Sequence, residues 1–198
     1  MQNKILFISV LILAGLAGFH LQRYIVNQDN QNLAPVLPEA TASIVGQQRP
    51  EFGLTDTEGQ MRKISEWNGK VLLVNFWATW CPPCKKEIPA FMALQDEYGT
   101  QGFQVIGIAI DEEQAVIDYA DTLGINYPIM AAELTAMEIS RLYGNRFNAL
   151  PYSVFVARDG TITHTKPGEL TKQQVEDIIK PLLAKQAEPA IAEPVASN

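Results

Sequence analysis

Two short, almost wholly apolar stretches, residues 71–78 (VLLVNFWA) and 105–110 (VIGIAI), constrain the fold of this chain more than any other feature. A strand with one face in water alternates apolar and polar residues, whereas a strand that is apolar at nearly every position needs cover on both faces. Between the two stretches Ile88, Phe91, Met92, Leu94 and Tyr98 recur at helical spacing. A second helix is expected over residues 112–123, a short apolar segment over 127–130 and a third helix over 134–143. Residues 153–157 read as another strand, joined through Arg158-Asp159-Gly160 to a strand at 161–166, and residues 171–183 as a closing helix. Upstream, EFGLTDTEGQMRKI turns at Glu58-Gly59 between two half-apolar runs and reads as a hairpin. The alternation of strand and helix implies an α/β domain whose sheet is covered on both faces.

With 198 residues, 47% of them hydrophobic, the chain suits one domain of ordinary size with residues to spare at its ends. Lys4 precedes an uncharged apolar run over residues 5–19, which addresses that segment to a membrane. Such a helix reaches roughly 22 Å against a hydrocarbon core of about 30 Å, so crossing requires residues 20–26 to continue it into the interface, with Arg23 and Tyr24 as anchors. The alternative is a cleaved signal peptide, using the small residues around Gly15-Leu16-Ala17. An uncleaved anchor is favoured, because an Ala-x-Ala occurs only at residues 40–42, too far from the apolar run. Either way the rest of the chain is expected in an extracytoplasmic, periplasmic space. The expected division is an anchor or signal segment at 1–26, a polar, Pro-punctuated linker at 27–48, a folded domain at 49–185 and a disordered Ala/Pro/Glu tail at 186–198. A formal net charge of −7 and no run of Lys and Arg with interleaved aromatics argue against nucleic acid as a partner.

The chain has two cysteines, Cys81 and Cys84, both within NFWATWCPPCKKEIP. A bond between them closes so small a loop that it restrains the unfolded chain little, which weakens the reading as a staple. A structural zinc site takes four N or S ligands, and outside the N-terminal segment only His164 remains to join the pair, so no metal is expected. His164 lies on a Thr-rich strand and reads as exposed; a cysteine protease would need it beside Cys81, and nothing in the sequence puts it there. Redox exchange fits better. The strand ends near Ala78 and the helix begins near Pro82, so Cys81 falls at the N-cap, where free N–H groups and the helix dipole favour thiolate over thiol. Pro82 and Pro83 carry no N–H, which leaves the Cys84 backbone N–H and the Cys84 thiol as donors to the Cys81 sulfur. Lys85 and Lys86 add positive potential. In such a pair Cys81 exchanges with an incoming thiol or disulfide, and Cys84 resolves the mixed disulfide from one turn away; no cofactor is needed. Glu87 lies three residues beyond Cys84 on the same helical face. Partly buried, it would take the proton of the resolving thiol; solvated, it would pair with a lysine, and both readings stand.

The run Phe76-Trp77-Ala78-x-Trp80-Cys81-x-x-Cys84, with Pro89 in the following helix, resembles the active-site strand and helix of the thioredoxin superfamily. Pro89 removes one backbone donor and bends the axis, and a kinked helix is a feature of that superfamily. The closer resemblance is to the membrane-anchored TlpA/ResA-like branch of thiol-disulfide oxidoreductases. It rests on Arg49-Pro50-x-Phe52-x-Leu54-x-Asp56-x-x-Gly59, Gly69-Lys70 and Lys85-Lys86-Glu87, and extends over roughly residues 46–185. It implies a thioredoxin-like α/β fold, with a central mixed sheet, helices on both faces and an extra N-terminal hairpin. Cys81, Cys84 and Glu87 would then be catalytic. Asn75 stands where thioredoxins carry a buried Asp, and since Asn cannot titrate, the proton-handling task would pass to Glu87. The resemblance maps Leu150-Pro151 onto the loop whose cis proline faces the cysteine pair. It thereby offers Trp80, Pro82, Pro83, Leu150 and Pro151 as substrate-contacting residues.

The implied function is reduction of specific protein disulfides, in this family often for cytochrome c maturation. Its implied partners are protein thiols and disulfides together with an electron donor in the membrane. Two alternatives stand beside it. A thiol peroxidase would place Thr three residues, and Pro seven, before its reactive cysteine, where this chain has Ala78 and Val74. A membrane-tethered binding module would use the Trp80 and Pro151 surface without essential redox chemistry.

Overall fold

A computed structural model describes residues 43–185. The anchor or signal segment, most of the linker and the tail expected from the sequence lie outside the described residues. Seven strands and four α-helices follow in the order β1 (Gly53–Thr55), β2 (Met61–Lys63), β3 (Val71–Trp77), α1 (Pro82–Tyr98), β4 (Phe103–Ala109), α2 (Glu113–Leu123), β5 (Ile129–Ala131), α3 (Glu133–Leu142), β6 (Tyr152–Val156), β7 (Ile162–Pro167) and α4 (Lys172–Ala184). Short 3-10 turns precede β3 and follow α1.

Five strands form one sheet in the order β5-β4-β3-β6-β7. β3 runs parallel to β4, and β4 to β5, whereas β6 is antiparallel to both β3 and β7. This is the mixed sheet expected. All seven residues of β3 and all seven of β4 are buried, because each strand has hydrophobic cover on both sides. On one face Ile88, Phe91 and Leu94 of α1 pack with Val116 of α2 and Val175 and Ile179 of α4. On the other, Ala136 and Ile139 of α3 pack with Leu54 of β1, Ile64 and Trp67. β1 and β2 form the separate hairpin, which covers the free edge of β5 through a bridge from Asp56 to Met130 and a 3.0 Å bond from the Thr57 N–H to the Ile129 carbonyl.

The ordered fold reaches further toward the N-terminus than the sequence indicates. Residues 43–48, at the end of the stretch read as linker, run along β7: the Gly46 N–H donates to the Ile162 carbonyl at 2.8 Å, and the Ile162 N–H to the Gln47 carbonyl at 2.9 Å. Ile44 packs against the α3-side core. An open strand edge presents unpaired backbone groups, and this segment satisfies them at β7 as the hairpin does at β5.

Both apolar strands end at one edge of the sheet, where Trp77 of β3 pairs with Ala109 of β4. Trp77 is buried there as expected of a core residue, against the ring of Tyr119. The glycine interrupting VIGIAI makes room for it: a Cβ added at Gly107 would lie 3.1 Å from Trp77 Nε1. Gly107→Val should therefore overpack this layer and cost about 1–3 kcal/mol, read as a lower urea midpoint with unchanged slope. An unchanged midpoint would show that the indole has room to move.

Candidate active site

β3 leaves the sheet at Trp77, and the next residues form a turn rather than more strand. Asp111, just past the end of β4, holds that turn, accepting the Thr79 N–H at 2.8 Å and the Thr79 hydroxyl at 2.6 Å. Trp80 follows and stands 64% exposed. Cys81 then adopts the extended backbone of an N-cap, and its Sγ accepts the Cys84 N–H at 3.3 Å, the one donor that Pro82 and Pro83 leave in the first turn. The two sulfurs are joined as a disulfide. Cys84 is completely buried and Cys81 is 4% exposed, so an attacking group reaches the bond from the Cys81 side. Pro82 is exposed beside it and Pro83 half-buried.

β6 brings in the second wall. Tyr152 pairs with Phe76 and Ser153 with Asn75, which puts the residues before Tyr152 at the same sheet edge as the cysteine turn. The Leu150–Pro151 bond there is cis, and Leu150 packs partly buried against both cores.

Below the disulfide, one turn into α1, the Glu87 side chain points into the protein and is 1% exposed. Its Oε1 accepts Asn75 Nδ2 at 2.8 Å and its Oε2 accepts the Leu170 N–H at 2.9 Å. Asn75 also donates to Ser153 Oγ at 3.0 Å. Among the described residues no lysine pairs with Glu87: Lys86 turns outward, 3.8 Å from Glu169. The solvated, lysine-paired reading of Glu87 is therefore not the arrangement found. Burial pushes its pKa up to about 7, against the two hydrogen bonds that favour the ionised form, and the negative charge of Glu169 pushes the same way as burial.

His164 lies exposed on β7, level with Phe155, away from the strand ends that carry the cysteines. Among the described residues no group of three or more His, Cys, Asp or Glu side chains is placed to hold a metal ion. Nor is any described helix long and apolar enough to cross a membrane.

Sequence reasoning missed several residues of this site. Asp111 had a weak signal, an acid directly after an apolar strand. Ser153 had another, a lone hydroxyl within the apolar run YSVFV. The Leu170 N–H had none, since a backbone donor from a distant loop leaves no mark on residue type.

Fold and cysteine pair together define a thiol-disulfide oxidoreductase of the thioredoxin superfamily. A family model described as AhpC/TSA matches residues 45–165, and the chain belongs to that family. It is similar to the thiol-disulfide oxidoreductase ResA of Bacillus thuringiensis subsp. konkukian, 32% identical over 183 residues that span 90% of this chain and 96% of the relative. It is also similar to the protein of that name from Halalkalibacterium halodurans, 33% identical over 69% of this chain and 77% of the relative. Among solved structures, a thiol:disulfide interchange protein of the thioredoxin family from Chlorobium tepidum TLS superposes with a TM-score of 0.62. It is 30% identical, over 73% of this chain and 99% of that one.

The buried carboxyl carries a pH signature. Its folded pKa lies above its unfolded value near 4.5, so ionisation is penalised only in the folded protein. Stability from this group is therefore full below pH 4.5, falls as pH rises toward 7 and stays low above it, by on the order of 3 kcal/mol in total. Urea unfolding of the oxidised protein at pH 5 and pH 8 should show that loss, and Glu87→Gln should remove most of it. Parallel pH dependences in the two proteins would mean that Glu87 titrates normally.

Proposed function

We propose that this chain is an extracytoplasmic reductant of specific protein disulfides, held at the membrane by residues 1–26 and working through Cys81 and Cys84. The observation that carries the reading is the buried, readily protonated carboxyl of Glu87 on the same helical face as the buried Cys84, behind a Cys81 that alone of the two meets solvent.

In the reduced protein the Cys81 thiolate, favoured by the helix N-terminus and the Cys84 N–H, attacks one sulfur of a client disulfide. A mixed disulfide forms and the client's other sulfur leaves as a thiolate. Cys84 then loses its proton to Glu87 and attacks Cys81 Sγ, which forms the intramolecular disulfide and frees the second client thiolate. Two electrons pass to the client, and Glu87 returns the resolving proton to water or the departing thiolate. A carboxyl pKa near neutrality suits both halves of that transfer, since the group can take the proton and give it up. The client segment lies between Trp80, Pro82 and Pro83 on one side and Leu150-Pro151 on the other. A membrane-embedded dithiol donor restores Cys81 and Cys84, and an N-terminal anchor keeps the domain within its reach. The family resemblance puts cytochrome c precursors first among clients to try, because their haem-attachment cysteines must be reduced.

Thiol peroxidase chemistry has less support, since Ala78 and Val74 replace the Thr and Pro that it would place before the reactive cysteine.

Equilibration of the protein with a dithiothreitol or glutathione series should place the Cys81/Cys84 couple well below about −200 mV, and a value near −120 mV would make it an oxidant instead. Cys84→Ser should accumulate a mixed disulfide with a model client, whereas Cys81→Ser should form none. Trapping by Cys81→Ser rather than Cys84→Ser would reverse the two roles.

A further inference from the structure

The loop between α3 and β6 is built around one buried amide. Asn145 donates from Nδ2 to Ser140 Oγ at 2.9 Å and to the Ala149 carbonyl at 2.9 Å, while its Oδ1 accepts the Ala149 N–H at 3.0 Å. Its own N–H donates to the Ser140 carbonyl at 3.0 Å, and its carbonyl accepts the Asn148 N–H at 3.1 Å. Asn148 takes a left-handed φ of 47°, and the Tyr152 hydroxyl closes the base on the Tyr143 carbonyl at 3.2 Å. The loop is thus fixed from within, and none of these bonds involves the side chain at its tip.

That side chain is Phe147, 92% exposed and the most exposed large apolar residue among those described. A single solvated apolar group is ordinary on a protein surface. This one is held in place on a locked loop that reaches cis Pro151 four residues later, at most about 14 Å along the chain. Its neighbour Arg146 is exposed and has no ion pair among the described residues; the same holds for Lys85, directly after Cys84. Apolar area and unpaired positive charge therefore lie on the loop that leads into Pro151, and a further unpaired positive charge lies directly after Cys84, in a chain whose formal net charge is −7.

We propose that this loop recognises the client, with Phe147 anchoring an apolar side chain near the client's cysteine, Arg146 attracting an acidic residue beside it, and Asn145 positioning both. The occupant is the segment of a client protein that flanks its disulfide, a segment both apolar and acidic. The inference names the substrate class of the site described above and rests on the reading of that site as a disulfide reductant. Aromatic anchors with a flanking arginine commonly dominate protein interfaces, and flanking charge sets encounter rate and selectivity.

The test uses the full chain, re-reduced in the assay by dithiothreitol whose uncatalysed rate is subtracted, with three substrates: a disulfide peptide with Leu and Glu beside its cysteines, a peptide with Gly and Ser there, and oxidised glutathione. The wild type should prefer the first peptide over the second by about tenfold or more in kcat/KM. Phe147→Ser should raise KM for the first peptide by about tenfold while kcat and the glutathione rate stay unchanged. Asn145→Ala should show the same selective loss, and Arg146→Glu a loss that shrinks as salt is raised. Equal wild-type rates on the two peptides, or an unaltered KM in Phe147→Ser, would overturn the proposal and leave the reductant reading standing. An equal loss toward glutathione would overturn it as general damage to the site. A wild-type protein that reduces none of the three would overturn the reductant reading itself. Sedimentation showing a dimer that Phe147→Ser dissolves would assign the surface to a second copy and overturn the client role.

Discussion

A carboxyl group with no counter-ion among the described residues, sunk beneath the start of α1, is the constraint around which this end of the protein is arranged. Glu87 draws one hydrogen bond from Asn75 on the central strand and another from the Leu170 backbone just before α4, so three parts of the chain distant in sequence meet at one side chain. Burying a polar group is tolerable only when its hydrogen bonds are made. Here they are made, yet both donors are neutral, so the carboxyl keeps a high affinity for its proton. A lysine or arginine in place of Asn75 would give a tighter contact and an acid locked in its ionised form. Asn75 gives orientation without charge, which leaves the proton free to move.

Around that acid the site divides into a fixed frame and an open rim. The frame is polar and internal: Asp111 holds Thr79 ahead of the cysteines, Ser153 joins Asn75, and Asn145 ties the loop that leads to Pro151. Each of these side chains bonds to backbone or to another fixed group, so the turn with Cys81 and the cis-proline segment are held relative to the sheet. The proposed rim is apolar and solvated, with Trp80 directly before Cys81 and Phe147 on the loop that leads to Pro151. Thiol exchange needs close alignment of attacking and leaving sulfurs, and a stiff frame with an adaptable rim lets a partner approach while the cysteines stay in register.

The sequence made the architecture legible because its signals were local and strong. Continuous apolar runs announced β3 and β4, and helical spacing announced α1. The cysteine turn was legible for the same reason, since Pro82 and Pro83 leave Cys84 as the donor to Cys81 whatever the rest of the chain does. Residues 43–48 were not, because a few residues pairing by backbone alone with a strand edge carry no periodicity. The state of Glu87 was left open: a glutamate after two lysines at a helix start fits burial or solvation, and only the approach of the residue 170 segment shows that it is enclosed. Asn145 carried no signal in the sequence, although its side chain organises the loop.

The central claim is that Glu87 holds and releases a proton near neutral pH beneath the cysteine pair. The most direct test is a carbon-13 NMR titration of the Glu87 side-chain carboxyl in the oxidised protein. The account predicts a midpoint near 7, well above that of the exposed glutamates in the same spectrum. A midpoint near 4.5 would mean that the carboxyl is ionised throughout the working range, and would contradict its proposed part in the exchange.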